Sequence, residues 1–209
     1  LRLASPDPFV GRTDILHAVL AWVENPEGLP HRRRDVAQGP LGLLAEAALR
    51  TTRIKVVTGI AGAFSRSPFV MANSAADIDE LSNGRAVLGI GTGAPEFVEA
   101  WHSTNTAKPA TRMGEYIDAV RASWSYVGQE ENWEEVRGDY YSLTSLPLNL
   151  WGGRHLERPS VPLYMGGMRP RMMEMAGARA DGLLGFLHTP KFVREVAYPS
   201  MGRGAEAAG

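Results

Sequence analysis

Glycines, arginines and histidines carry most of the chemistry that the spacing of this sequence suggests. The run Gly166-Gly167-Met168-Arg169-Pro170-Arg171 sets two arginines around a proline suited to the first position of a helix. A helix opening there offers backbone N–H groups, the positive end of its dipole and two guanidinium groups to one phosphate. The same residues would also serve as an ordinary loop with two solvated arginines. Gly89, Gly91 and Gly93 form a second glycine-rich turn. It lacks the dinucleotide-binding fingerprint, because Pro95 and Glu96 stand where a third glycine should open the helix. His102 follows Trp101, a pair that could supply a stacking surface and a proton donor, or could pack beneath a helix end. His188 could act as an acid or base, or could simply face a loop. The remaining histidines are His17, His31 and His155. No two of the five histidines sit at i, i+4, so no metal centre is expected.

Alternating helices and strands must position these groups. Residues 41–50 (LGLLAEAALR) are strong helix formers, and 54–60 (IKVVTGI) form a β-branched run ending in glycine. Ser67 and Pro68 open a helix as N-cap and N1, and Asn83-Gly84 closes it. Residues 86–90 (AVLGI) give the next strand. Met113, Tyr116, Ile117, Val120, Trp124 and Val127 share one helical face. Strands follow at 161–165 and 183–187 with a helix over 170–179 between them, and Thr189-Pro190 caps a last helix. The runs 54–60 and 183–187 are almost wholly apolar, as suits strands covered on both faces. Such βαβ units favour a parallel sheet, either a TIM (β/α)8 barrel or an open doubly wound sheet. In both, the site lies at the carboxyl ends of the strands. Those ends are Thr58-Gly59-Ile60, Gly89 to Gly93, Gly166-Gly167-Met168 and Phe186-Leu187-His188. Glycine on several of these ends lets backbone approach a broad planar ligand, although each would also serve a tight turn.

Two stretches are harder to read. Residues 1–38 form a poorly defined N-terminal segment, with helical spacing only over 14–23 and a basic triplet at Arg32-Arg33-Arg34 that suits a solvated loop. Within the barrel domain at 39–209, residues 128–160 form an irregular excursion. Its Trp133, Tyr140, Tyr141 and Trp151 could stack on a flat substrate or could close the side of the barrel.

Composition narrows the class of molecule. The chain has 209 residues, 22 basic against 23 acidic, and 44% hydrophobic. It therefore supports a real core, carries no electrostatic footprint for nucleic acid, and breaks its apolar runs short of the ~20 residues a membrane span needs. The count of cysteines is 0, which excludes disulfides, thiolate metal sites and cysteine nucleophiles. No P-loop, GxSxG elbow or HExxH motif occurs. Without an apolar signal segment near the start, a soluble cytoplasmic protein is expected. The opening Leu-Arg-Leu and the closing Gly-Ala-Glu-Ala-Ala-Gly look like cuts through a longer chain.

Read together, the motifs resemble the bacterial-luciferase-like superfamily. The ordered series is Arg34-Asp35, Thr52-Arg53-Ile54 to Ile60, Phe64-Ser65-Arg66-Ser67-Pro68 and Asp79 to Arg85. It continues with Gly89 to Gly93, Trp101-His102, Pro162 to Met165, Gly166 to Arg171 and Ala176 to Gly182. It is most similar to the branch that uses coenzyme F420, an 8-hydroxy-5-deazaflavin, as relatives of methylenetetrahydromethanopterin reductase do. The resemblance implies a TIM barrel with the deazaflavin ring at the carboxyl ends of the strands. It implies a non-prolyl cis peptide and bulge at Gly59-Ile60, with Thr58 beside it, backing the ring. Gly91 and Thr92 would lie at the ring, and Gly166, Gly167, Arg169 and Arg171 would take the phosphate. His102 and His188 are the candidate proton donors for hydride transfer to or from a small organic substrate. A homodimer is within the family's range.

The chain also departs from the family pattern. The Glu-His pair of the second strand has no convincing counterpart at Leu29-Pro30-His31-Arg32, and Ser103 replaces the glycine of the Trp-His-Gly motif. The first strand is unrecognisable and the last two barrel units are missing, so the expected barrel is partial, with degraded early units. Two alternatives remain open: an FMN-dependent luciferase-like monooxygenase, and an inactive truncated barrel fragment that serves at most as a binding module.

Overall fold

The computed structural model describes residues 40–129, 133–144 and 156–209. The sequence expectations for residues 1–38, for His155 and for Trp151 lie outside the described residues.

Helix α1 (Pro40–Arg50) leads into β1 (Val56–Val57), and β2 (Ala61–Gly62) continues the same strand after an interruption. A 3-10 turn (Ala63–Ser65) then feeds α2 (Pro68–Leu81). Ser67 accepts from the Val70 N–H at 3.3 Å with Pro68 at the first helical position, as the sequence anticipates. The helix closes through Asn83 (φ 51°) and Gly84 (φ 76°), and the Gly84 N–H returns to the Asp79 carbonyl at 2.9 Å. Strand β3 (Ala86–Gly91) is buried along its whole length. It is followed by α3 (Pro95–His102) and the long α4 (Pro109–Val127).

After α4 the chain forms a small antiparallel pair, β4 (Val136–Arg137) with β5 (Ser142–Leu143). The main sheet resumes with β6 (Leu163–Gly166), α5 (Pro170–Arg179) and β7 (Gly182–Leu184). Helix α6 (Pro190–Phe192) runs through a π-helical turn at Val193–Ala197 into α7 (Tyr198–Ala208). The sheet order is β1-β3-β6-β7, with β2 also on β3, and every pairing in it is parallel. Successive βα units with a parallel sheet are the architecture of a (β/α)8 barrel, of which these elements make up part.

The apolar face of α4 meets the core as its spacing predicts. Met113, Tyr116, Ile117, Val120 and Trp124 are all buried, and the Trp124 indole N–H donates to the Ala72 carbonyl of α2 at 2.8 Å. Helices α5 and α7 cross closely, because a Cβ on Gly177 would strike the Met201 backbone and one on Gly204 would strike the Glu174 backbone.

The structure corrects three of the sequence expectations. The run 54–60 is not one strand, since only Val56 and Val57 pair before the break. The run 183–187 ends as a strand at Leu184. Phe186 and Leu187 are 68% and 85% exposed, so their apolar character reflects no burial on both faces. The excursion at 128–160 contains the β4–β5 pair, which the absence of a strong alternating pattern concealed. Its turn is held by Glu115 of α4, whose carboxylate accepts from the Tyr140 N–H at 2.7 Å and the Tyr141 N–H at 3.2 Å.

Candidate functional site at the carboxyl ends of the strands

The site begins at the interruption between β1 and β2. Val57 is level with Val87 and Ala61 with Ile90. Thr58, Gly59 and Ile60 therefore stand opposite Leu88 and Gly89 alone, which is a bulge with one extra residue. The Gly59–Ile60 peptide is cis and non-prolyl, at the position the resemblance implies. Thr58 stitches the bulge to β3: its hydroxyl donates to the Gly89 carbonyl at 2.6 Å and accepts from the Gly89 N–H at 2.8 Å. Gly89 must stay without a side chain, because a Cβ would collide with the Thr58 carbonyl and lie 2.6 Å from Leu184 Cδ1.

The bulge throws Ile60 out over the ends of β3 and β6, and it remains 37% exposed. A Cβ on Gly91 would run into the Ile60 side chain, and one on Gly166 would come within 3.3 Å of Ile60 Cγ2 and 3.8 Å of the Gly91 Cα. Gly59, Ile60, Gly91 and Gly166 are thus neighbours on one rim, a surface of backbone and one aliphatic side chain that fits a flat ring system. Thr92 borders it, its hydroxyl donating to the Gly93 carbonyl at 3.1 Å.

Thr58 does not belong to that surface. Its side chain is 2% exposed and both of its hydrogen-bonding roles are spent on Gly89. It supports the rim from below and does not line it.

The glycine-arginine turn does open a helix. Arg169 is the N-cap of α5 and Pro170 stands in its first turn. The Gly167 N–H, expected to be free, instead donates to the Leu184 carbonyl of β7 at 3.2 Å. The helix end, Arg169 and Arg171 remain, and these two arginines line a cleft of about 550 Å³ together with Lys108, Pro109, Ala110, Thr111 and Met172. Lys108 is the N-cap of α4. No local pattern announces that this lysine shares a cleft with the arginines, because the two segments lie about 60 residues apart and meet only through the sheet order.

The two histidines are placed differently. His102 ends α3 and is exposed, next to Trp101, which is 72% exposed and stacks on Phe97 with ring centroids 4.8 Å apart. His188 lies beyond β7 with its ring against Phe192, centroids 4.6 Å apart, and its Nε2 is enclosed without a hydrogen-bond partner. Two aromatic residues of the excursion, Trp133 and Tyr141, pack against α4. Trp133 meets Tyr126 edge-on at 4.9 Å, and Tyr141 meets Tyr116 at 5.2 Å while its hydroxyl accepts from Arg112 Nε at 3.0 Å. These rings cover α4, and that accounts for their sequence signal. Burial raises the pKa of Tyr116 and, more weakly opposed by Arg112, that of Tyr141, so both phenols stay protonated near neutral pH. Among the described residues no group of histidine and carboxylate side chains could hold a metal ion, and no helix is long and apolar enough to cross a membrane.

A glycine rim, a bulged strand and a basic helix end meet at the carboxyl edge of the parallel sheet, the edge at which α/β barrels place their ligand sites. The model of the luciferase-like monooxygenase family matches residues 21–209, and the chain belongs to that family. It is 31% identical over 182 residues to 5,10-methylenetetrahydromethanopterin reductase from Methanopyrus kandleri, covering 81% of this chain and 50% of the relative. The corresponding enzyme of Methanolobus tindarius is 31% identical over 179 residues, covering 86% of this chain and 50% of that one. A solved structure, the coenzyme F420-dependent tetrahydromethanopterin reductase from Methanopyrus kandleri, superposes with a TM-score of 0.66 at 28% identity, covering 82% of this chain and 50% of the other. The chain thus spans about half the length of the relatives it matches.

Proposed function

We propose that this chain is the cofactor-binding part of an F420-dependent oxidoreductase that transfers a hydride between the deazaflavin and a small organic substrate. The observation that carries this reading is the bulge at Thr58–Gly59–Ile60, which lays a flat, side-chain-poor surface beside a basic helix end. The likeness to methylenetetrahydromethanopterin reductases supports the choice of deazaflavin.

When bound, the coenzyme would supply a carbon-centred hydride donor or acceptor that does not activate oxygen. The chain's own contribution is placement. Ile60 would press on one face of the ring, Gly91 and Thr92 would border it, and the α5 end with Gly166, Gly167, Arg169 and Arg171 would fix the phosphate. A proton donor would come from His188, beyond β7, or from His102, beyond α3. The substrate would approach the face that Ile60 leaves open.

The direct test titrates the purified chain with F420 and, separately, with FMN, following tryptophan fluorescence. Tighter binding of F420 supports hydride transfer. Preference for FMN would move the site to oxygen chemistry, and binding of neither would defeat the proposal for this chain.

A further inference from the structure

We propose that Arg112 is a positioning residue of the rim: its guanidinium latches together the three loops beside the bulge and so holds Ile60 in place. Its use by the coenzyme rests on the reading of the rim as the ring site.

Arg112 lies in the first turn of α4. A helix that follows a parallel strand starts at the carboxyl edge of the sheet, so this turn stands near the level of the rim. The side chain is half-buried, and among the described residues it forms no ion pair. Its partners are of another kind. The guanidinium carbon lies 4.3 Å over the Phe64 ring. Its Nε donates to the Tyr141 hydroxyl at 3.0 Å, and a terminal nitrogen donates to the Asn105 carbonyl. The Tyr140 and Tyr141 ring centroids are 5.7 and 5.4 Å away. One planar cation therefore meets the turn after β2, the loop between α3 and α4, and the β4–β5 hairpin. Arginine suits this place because its face covers a ring while its edge reaches two oxygens in fixed directions. A lysine ammonium has no plane and cannot do both.

The connection from Phe64 back to the bulge has no slack. Phe64 comes four residues after Ile60, and Ala61 and Ala63 between them are 0% exposed. The Ser65 hydroxyl donates to the Gly62 carbonyl at 2.8 Å, which ties the turn to β2, and α3 packs against the same turn. Thr58 thus anchors one end of the bulged segment to β3, and Arg112 clamps the other end through Phe64. A shift at Phe64 is passed to Ile60.

Hydrogen–deuterium exchange of the ligand-free chain tests the latch, and the F420 dissociation constant tests its use. Arg112→Met removes both plane and charge, whereas Arg112→Lys keeps the charge alone. In both variants the amides of residues 60–66, 103–108 and 139–143 should exchange about tenfold faster together, with those of β3 unchanged. F420 should bind about tenfold more weakly to both. Faster exchange confined to the hairpin, an Arg112→Lys variant that behaves as wild type, or full F420 affinity in both variants overturns the proposal. Phe64→Leu, which takes the ring from beneath an intact Arg112, should loosen the same three segments, and unchanged exchange there overturns it as well. Wild type that binds no F420 while the three segments still loosen together would sink the deazaflavin reading and leave the latch standing.

Discussion

The two ends of the sheet are built on opposite principles. At the amino ends of the strands, side chains satisfy one another densely. Asp79, 2% exposed, accepts from Arg158 and from the Ala86 N–H at 3.1 Å. Arg85 donates to the carbonyls of Ala48 at 2.9 Å, Thr51 at 2.7 Å and Ile54 at 2.6 Å, which closes the end of α1. Asp181 accepts from the Leu163 N–H at 2.8 Å at the foot of β6. At the carboxyl ends the surface carries glycines and exposed apolar side chains, Ile60, Met168, Phe186 and Leu187, bordered by cations that have no ion-pair partner among the described residues. One end stores stability and the other leaves its binding capacity unspent. The motif from Asp79 to Arg85, part of the family resemblance, belongs to the first end and touches no ligand surface.

The comparison breaks most sharply at Arg158. Arg158→Ala would strand the Asp79 carboxylate in the interior, at a cost of about 3–5 kcal/mol. A urea unfolding curve should show the midpoint falling sharply with the slope unchanged. An unchanged midpoint would mean that the basal network holds little.

Thr58, beneath the rim, is built in the manner of the base, and it sharpens the contrast. Thr58→Val keeps the volume but leaves the N–H and carbonyl of Gly89 without their hydroxyl partner, costing about 2 kcal/mol. The same variant should weaken coenzyme affinity, because the bulge that presents Ile60 loses its tie to β3. Loss of stability with full coenzyme affinity would show that the bulge holds its shape without Thr58.

Much of this division was legible in the sequence. The caps at Ser67-Pro68 and Thr189-Pro190 and the apolar face of α4 are local patterns, and the helices formed where those patterns placed them. The bulge was readable only through the family resemblance, since nothing in IKVVTGI itself marks where pairing stops. The resemblance placed Thr58 beside the bulge and backing the ring, but no local pattern shows which way its side chain turns; in the structure its hydroxyl is spent on Gly89. Lys108 was invisible because a charge at a helix start has no local partner to announce it. The strand over 183–187 was overextended because apolar residues on an exposed loop imitate a buried strand.

The most direct measurement compares thermal unfolding of wild type and the Arg169→Met/Arg171→Met double variant, with and without F420. If the rim binds and the base stabilises, both proteins unfold at nearly the same temperature alone. Coenzyme at a hundredfold excess over its Kd should raise wild type by about 5–10 °C and the variant hardly at all. A variant that melts several degrees lower without ligand, or that gains as much from F420 as wild type does, would contradict the account.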